Sequence, residues 1–174
     1  MGPGPAQGTV KVRTGVAGSA SRMGHRLVLL VTEWSAQVEI ADGVAQSVVF
    51  TADLDSMQVE SGSGGVTPLT VVDKQVIHRN ANKALEVGKY PSVDFSSTEI
   101  VMTDGTIDIA GSLTIHGVSE PLDATMTIAD GRATATIPVT QTDFGIKPYS
   151  AMLGQLKVSD EVLVELDIAL PSGA

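Results

Sequence analysis

The segment 111-GSLTIHGVSEPLDATMTI-128 contains two apolar alternations separated by a short interval rich in turn-forming residues. Because alternate residues of a β-strand share one face, the pattern predicts two antiparallel strands joined by residues 116–121. Gly117 and Pro121 favour a turn there, and we expect His116 to hydrogen-bond within it rather than to catalyse a reaction. The shared apolar face consists of Gly111, Leu113, Ile115, Leu122, Ala124, Met126 and Ile128.

The same period of two extends over most of the chain and is interrupted by three Asp-Gly pairs. Asp-Gly between alternating segments is typical of β-hairpins, and the pairs are Asp42-Gly43, Asp104-Gly105 and Asp130-Gly131. Segment 73-DKQVIHRNANKALEVGKYP-91 changes to helical spacing. There Asp73 is the expected N-cap, and Gly88 followed by Pro91 is expected to end the helix.

These elements predict an all-β fold with one inserted α-helix, built as a sandwich or as a closed barrel. A closed antiparallel barrel of about eight strands is favoured, because closure leaves no edge strand free to aggregate. Several residues expected to face inward are small, which favours an internal cavity. They are Ala52, Gly111, Ala124, Ala133 and Ala135.

The length of 174 residues fits a single domain. We expect a flexible N-terminal tail over residues 1–7, a barrel domain over residues 8–170 and a C-terminal tail over residues 171–174. The N-terminal sequence "MGPGPAQG" lacks the pattern of a signal peptide, so a cytoplasmic location is expected. The longest apolar run, residues 27–31, is far too short to span a bilayer as a helix.

The net charge of −9 is uneven along the chain. Residues 1–89 hold eight Lys/Arg and eight Asp/Glu, whereas residues 90–174 hold three and twelve. This distribution predicts no basic patch, so neither nucleic acid nor an anionic membrane is an expected partner. The absence of cysteine excludes disulfides and thiol nucleophiles.

No catalytic or metal-binding motif is recognisable among the three histidines, whose spacing in the chain is wide. We therefore predict no catalytic residues, no metal ligands and no enzymatic activity. Two alternatives remain open at this point. One is a metal-dependent enzyme that uses His25, His78 or His116, and the other is a solid-core, stress-related interaction module.

Three segments in the second half of the chain resemble the YceI-like proteins. They are "KYPSVDFSSTEI" (89–100), "IAGSLTIHGVSEPLDATMTI" (109–128) and "TQTDFGI" (140–146), and the ending "KVSDEVLVELDIAL" is also similar. The resemblance implies a lipocalin-like barrel that binds polyisoprenoid lipids. The helical segment departs from the family's usual acidic-histidine motif with two phenylalanines, since Leu85 and Val87 stand in that region. Many relatives look secreted to the periplasm.

A site for a long apolar chain implies a deep apolar interior with no charged catalytic group. The residues expected to contact such a ligand are Leu27, Leu29, Trp34, Phe50, Phe95, Leu113, Ile115, Met126, Ile137, Phe144, Val164 and Leu166. The predicted function is a non-enzymatic carrier of a long-chain isoprenoid or a similar apolar lipid. A homodimer is compatible with this prediction, and no cofactor other than the bound lipid is expected.

Overall fold

Ten antiparallel strands form one curled sheet in the computed structural model of the chain, which describes residues 2–171. The strand order is β4-β5-β7-β8-β9-β10-β13-β1-β3-β6, and a separate small sheet has the order β11-β12-β2. The edge strands β4 and β6 are not hydrogen-bonded to each other. The all-β class with one helix is confirmed, but the prediction of a closed barrel of about eight strands is wrong.

The strands of the described residues are β1 (Gly8–Arg13), β2 (Val16–Ala17), β3 (His25–Val31), β4 (Trp34–Ala41), β5 (Val44–Asp53), β6 (Met57–Gly64), β7 (Ser92–Thr103), β8 (Thr106–Ile115), β9 (Val118–Ala129), β10 (Arg132–Thr140), β11 (Ser150–Ala151), β12 (Leu156–Val158) and β13 (Glu161–Ala169). The α-helix is α1 (Val71–Ala84). Short 3₁₀ turns occupy Ser21–Met23, Leu54–Ser56, Gln141–Phe144 and Met152–Gly154.

The strand after the β8–β9 turn begins earlier than the sequence pattern predicted. Ile115 pairs with Val118, so the loop is only His116-Gly117, and both residues have positive φ, at 54° and 72°. These angles are typical of a type I′ hairpin turn. Pro121 lies inside β9 rather than in the connection, where it pairs with Ser112 of β8. Beside Pro121, β9 is not paired with β10, so no ladder hydrogen bond is lost.

One edge of the sheet is formed by β6, a strand that the sequence pattern did not predict. Its second half is "SGSG", which has neither apolar alternation nor β propensity. The strand forms because β3 supplies a partner from Val31↔Met57 to His25↔Gly64, with a bulge after Val28. Long-range pairing therefore overrides local preference here.

The N-cap of α1 lies three residues before the predicted N-cap, Asp73. Thr70 is the N-cap, and Asp73 occupies the third helical position of a reciprocal capping box. The Thr70 N–H donates to Asp73 Oδ2 at 2.8 Å, and the Asp73 N–H donates to Thr70 Oγ1 at 3.1 Å. The helix ends at Ala84 rather than near Gly88, because Glu86 adopts a left-handed conformation with φ 49°.

The segment before β1, predicted as a tail, lies beside the edge strand β4. The Ala36 N–H donates to the Pro3 carbonyl at 2.9 Å, and the Ala169 N–H donates to the Gln7 carbonyl at 2.7 Å. Part of the exposed edge of β4 is therefore covered. Met1 and, in the predicted C-terminal tail, residues 172–174 lie outside the described residues.

Candidate functional site

The curled sheet and α1 enclose a cavity of about 490 Å³, which lies within the range of small-molecule binding sites. Its lining contains no Asp, Glu or Arg among the described residues. No large side chain in residues 2–171 is fully buried, which shows that the interior is not filled by side chains. We call the apolar lining contributed by β1, β3–β10 and β13 the wall.

Ten of the twelve residues expected to contact a ligand lie in this lining. They are Leu27, Leu29, Phe50, Phe95, Leu113, Ile115, Met126, Ile137, Val164 and Leu166. Trp34 and Phe144 do not line the cavity. Each is buried in one of two clusters beside it, with 6% and 5% of its surface exposed. Trp34 stacks on the lining residue Phe50, with ring centroids 5.9 Å apart.

The sequence pattern predicted that the small inward-facing residues leave free space in the interior. Only some of them do so. Ala52 and Ala124 line the cavity, but Ala133 is packed and only 2% exposed. Gly111 is covered by β7, since a Cβ at this position would clash with the Ser96 carbonyl oxygen and lie 2.6 Å from Phe95 Cζ. The glycine therefore makes room for its neighbouring strand rather than for a ligand.

Helix α1 contributes lining residues that the strand pattern could not reveal. Ile77, Ala81 and Ala84 recur at helical spacing and face the cavity. No residue of α1 is buried, and two polar side chains link the helix to residues 55–57. His78 Nδ1 donates to the Met57 carbonyl at 2.7 Å, and Asn82 Nδ2 donates to Asp55 Oδ1 at 2.7 Å.

The cavity reaches the surface between the first 3₁₀ turn and the small sheet. Among the described lining residues, only Met23, Tyr149 and Lys157 are exposed, and they mark the mouth. Asn80 Nδ2 of α1 donates to the Tyr149 hydroxyl at 3.2 Å, so the helix borders the same opening. Polar lining side chains occur at this end, and they are Thr14, His25, Asn80, Gln141, Tyr149 and Lys157.

We call residues 21–26, 65–89 and 147–158 the mouth rim. These three segments hold eight of the eleven Lys/Arg of the chain but only two of its twenty Asp/Glu. The two acids are engaged locally, Asp73 in the helix cap and Glu86 with His116. The cations of the chain are therefore concentrated in these three segments, a distribution that counting by halves does not reveal.

Each histidine is bound to a backbone carbonyl, and the three are not gathered at one place. His25 Nε2 lies 2.6 Å from the Thr67 carbonyl oxygen, and His78 Nδ1 contacts the Met57 carbonyl as described above. Within residues 2–171, no group of three or more His, Asp or Glu is arranged to hold a metal ion. The histidines therefore tie loops and the helix to the sheet.

His116 has the most partners of the three. Its Nε2 lies 2.5 Å from Glu86 Oε2, and its Nδ1 lies 3.3 Å from the Phe144 carbonyl oxygen. The ring also packs edge-on against Tyr90 at a centroid distance of 4.7 Å. Both ring nitrogens therefore face acceptor oxygens. His116 thus joins the β8–β9 turn to the segment after α1 and to the turn after β10.

In a comparison with known protein families, residues 8–170 of the chain match the YceI-like domain. The chain belongs to the YceI-like family. The match includes every strand of the described residues and α1. The resemblance carried by "GSLTIHGVSEP" is thereby confirmed.

Curated relatives of this YceI-like chain are UPF0312 proteins. One from Vibrio parahaemolyticus is 34% identical over 84 residues, which cover 48% of this chain and 37% of the relative. Another from Pseudomonas putida is 38% identical over 74 residues, covering 36% of this chain and 38% of the relative. The matches thus extend over little more than a third of the length of these relatives.

Solved structures with the same fold include the crystal structure of Burkholderia cenocepacia BcnA. It superposes with a TM-score of 0.68 at 20% identity, covering 94% of this chain and 96% of that chain. A Campylobacter jejuni YceI protein gives a TM-score of 0.59 at 15% identity, covering 80% and 81%. At these identities the likeness concerns the fold alone. In the described part of our YceI-like chain, none of the helices has the length and apolarity needed to cross a membrane.

Proposed function

We propose that this YceI-like protein is a non-enzymatic carrier that binds a long-chain isoprenoid or a similar apolar lipid inside the cavity. The observation that carries the proposal is the wall, where an unfilled interior of about 490 Å³ is bordered by apolar side chains and by no carboxylate. The chain has a net charge of −9, so a lining without acids is a marked local departure from its composition.

The chemistry of this wall favours a ligand that makes few hydrogen bonds. An apolar chain gains affinity from removal of its surface from water, at about 25 cal/mol per Å². Since polar lining side chains occur only toward the mouth, the ligand would lie with its hydrocarbon against the wall and any polar end near Asn80, Tyr149 and Lys157. YceI-like proteins are generally binding proteins, which agrees with this proposal.

The test is calorimetric titration with farnesol, a short isoprenoid alcohol, on protein from which bound lipid has been extracted. We expect saturable binding with a negative heat-capacity change, because apolar surface is buried. The fluorescence of Trp34 gives a second readout, since it is the only tryptophan and stacks on the wall residue Phe50.

Two variants on one strand separate the cavity from the outer surface. Ala124→Phe places a large side chain in the cavity, whereas Thr127→Phe places the same side chain on the exposed face of β9. Ala124→Phe should weaken farnesol binding by about tenfold or more, equivalent to about 1.4 kcal/mol, and Thr127→Phe should leave it unchanged. Equal effects of the two variants, or no uptake by the wild type, would refute the carrier proposal.

A further inference from the structure

We propose that the mouth rim docks on a membrane surface that carries anionic phospholipid headgroups, so that the cavity opens toward the bilayer. This inference goes beyond the carrier function and does not rest on it, because docking requires no ligand in the cavity. Its basis is the combination of exposed apolar side chains and cations around the opening.

The rim exposes more large apolar side chains than a surface facing only water needs. Eight of the thirteen exposed large apolar residues of the described chain lie in the rim. They are Met23, Val66, Val71, Val72, Val76, Tyr149, Met152 and Leu153. Concentrations of exposed apolar side chains mark interaction surfaces.

Met152 and Leu153 form the most exposed part of the rim. Leu153 is fully exposed, at 104%, and Met152 is 46% exposed. Both have left-handed backbones, with φ of 54° and 56°, which side chains other than glycine rarely adopt. The fold therefore holds an apolar pair outward in a strained turn, a conformation without evident benefit in water.

Helix α1 presents the same mixture on the face that points away from the cavity. Val72, Val76, Arg79 and Lys83 follow one another at spacings of four, three and four residues, so they form one stripe. Lining residues Ile77, Ala81 and Ala84 occupy the opposite face of the helix. This exposed stripe combines two valines with two cations, so it offers anionic headgroups both apolar contact and charge.

The charges of the molecule favour a membrane surface as the occupant. Outside the rim, the chain has three Lys/Arg, each ion-paired, against eighteen Asp/Glu. The acidic remainder would be repelled by anionic lipids, whereas the eight rim cations would be attracted to them. The molecule would therefore be oriented with its mouth toward the lipid.

The experiment is sedimentation with vesicles, using lipid-free protein without added farnesol. Vesicles of phosphatidylcholine with phosphatidylglycerol are compared with vesicles of phosphatidylcholine alone. We expect binding to the anionic vesicles in low salt, weak binding to the neutral ones, and loss of binding in 1 M salt, where charges are screened beyond about 3 Å.

Two pairs of variants divide the apolar from the electrostatic contribution. Leu153→Asp should reduce binding to anionic vesicles at least about fivefold, whereas Val101→Asp, at a 48% exposed valine outside the rim, should not. The double variant Arg79→Glu/Lys83→Glu should also lose at least about fivefold, whereas Lys11→Glu/Arg13→Glu, outside the rim, should lose less. Circular dichroism confirms that each variant is folded.

Equal binding to neutral and anionic vesicles, or equal losses in Leu153→Asp and Val101→Asp, would overturn the proposal. So would a dimer in light scattering that Leu153→Asp dissociates, because the rim would then be covered by a second copy of the chain. Farnesol titration in the absence of vesicles reports on the carrier function separately, so failure of one proposal is distinguishable from failure of the other.

Discussion

In the wall of the cavity, apolar side chains alternate with polar ones along long paired strands, whereas the mouth rim exposes apolar side chains beside lysines and arginines. The β8–β9 pair is continuous from Ile115↔Val118 to Thr106↔Thr127. In the rim, α1 has no buried residue and the small sheet has strands of two or three residues. The two regions border the same cavity but are built differently.

This difference assigns the stability of the fold to the wall and the capacity for local opening to the rim. The wall is held by backbone ladders whose disruption affects the whole sheet. The rim is held by a few side-chain hydrogen bonds, such as those of His78, Asn80 and Asn82. Segments with few buried contacts open locally at low free energy, so the rim can admit a ligand while the wall stays folded.

The largest effect is expected from a truncation in the wall. Leu29→Ala removes a side chain that is only 7% exposed and should lower the free energy of unfolding by about 2–5 kcal/mol. The matched control Val76→Ala, at a residue of α1 that is 43% exposed, should change it by no more than about 0.5 kcal/mol. Urea unfolding measures both, and similar losses would contradict the assignment of stability to the wall.

A smaller effect is expected at the turn that His116 occupies. Gly117 and Gly131 have nearly equal φ, 72° and 71°, but a Cβ at Gly117 would lie 2.7 Å from the Tyr90 ring, whereas one at Gly131 would meet nothing. Both alanine variants should lose about 1–2 kcal/mol of unfolding free energy to backbone strain. Gly117→Ala should lose more, and thermal unfolding that ranks the two in the opposite order would refute the packing of Tyr90 on the turn.

The smallest effect is expected in the rim. Thr70→Ala removes the helix cap and should lower the free energy of local opening of α1 by about 0.5–2 kcal/mol, with little change in global unfolding. Hydrogen exchange of the α1 amides measures this opening. A loss of protection throughout the sheet would show that rim and wall are not separate.

The same cap predicts a dependence on pH. The Thr70 backbone N–H, followed by the Thr70 hydroxyl, lowers the pKa of Asp73 below its usual 3.8. The charged carboxylate therefore stabilises the start of α1 above that value, and this contribution is lost as pH falls through the lower pKa of the folded protein. Protection of the first turn, corrected for intrinsic exchange rates, should fall over that range in the wild type and not in Asp73→Asn, which has no carboxylate to protonate.

The wall could be predicted from the sequence because its signal is local. In β13, Val164 and Leu166 were expected to contact a ligand, and both line the cavity together with Val162 and Ile168, the alternate residues on either side. The Asp-Gly pairs likewise mark the three hairpins as predicted. Alternation and turn chemistry are encoded within a few neighbouring residues, and tertiary structure preserves them.

The features that the sequence did not predict depend on contacts between residues that are distant in the chain. The strand β6 is glycine- and serine-rich and forms only because β3 pairs with it, so no local pattern predicted it. Trp34 was expected at the ligand, but folding places it in a cluster behind Phe50. The rim is assembled from three separate segments, and its charge becomes visible only once they are brought together.

The most direct test of the central claim is a set of intermolecular nuclear Overhauser effects between bound farnesol and the methyl groups of the protein. The account predicts contacts from the farnesol chain to Ile109, Leu113 and Leu166 in the wall, and none to Val49 and Val101, which are exposed outside the cavity. Contacts confined to exposed methyl groups, with none in the wall, would contradict the claim that the curled sheet encloses the binding site.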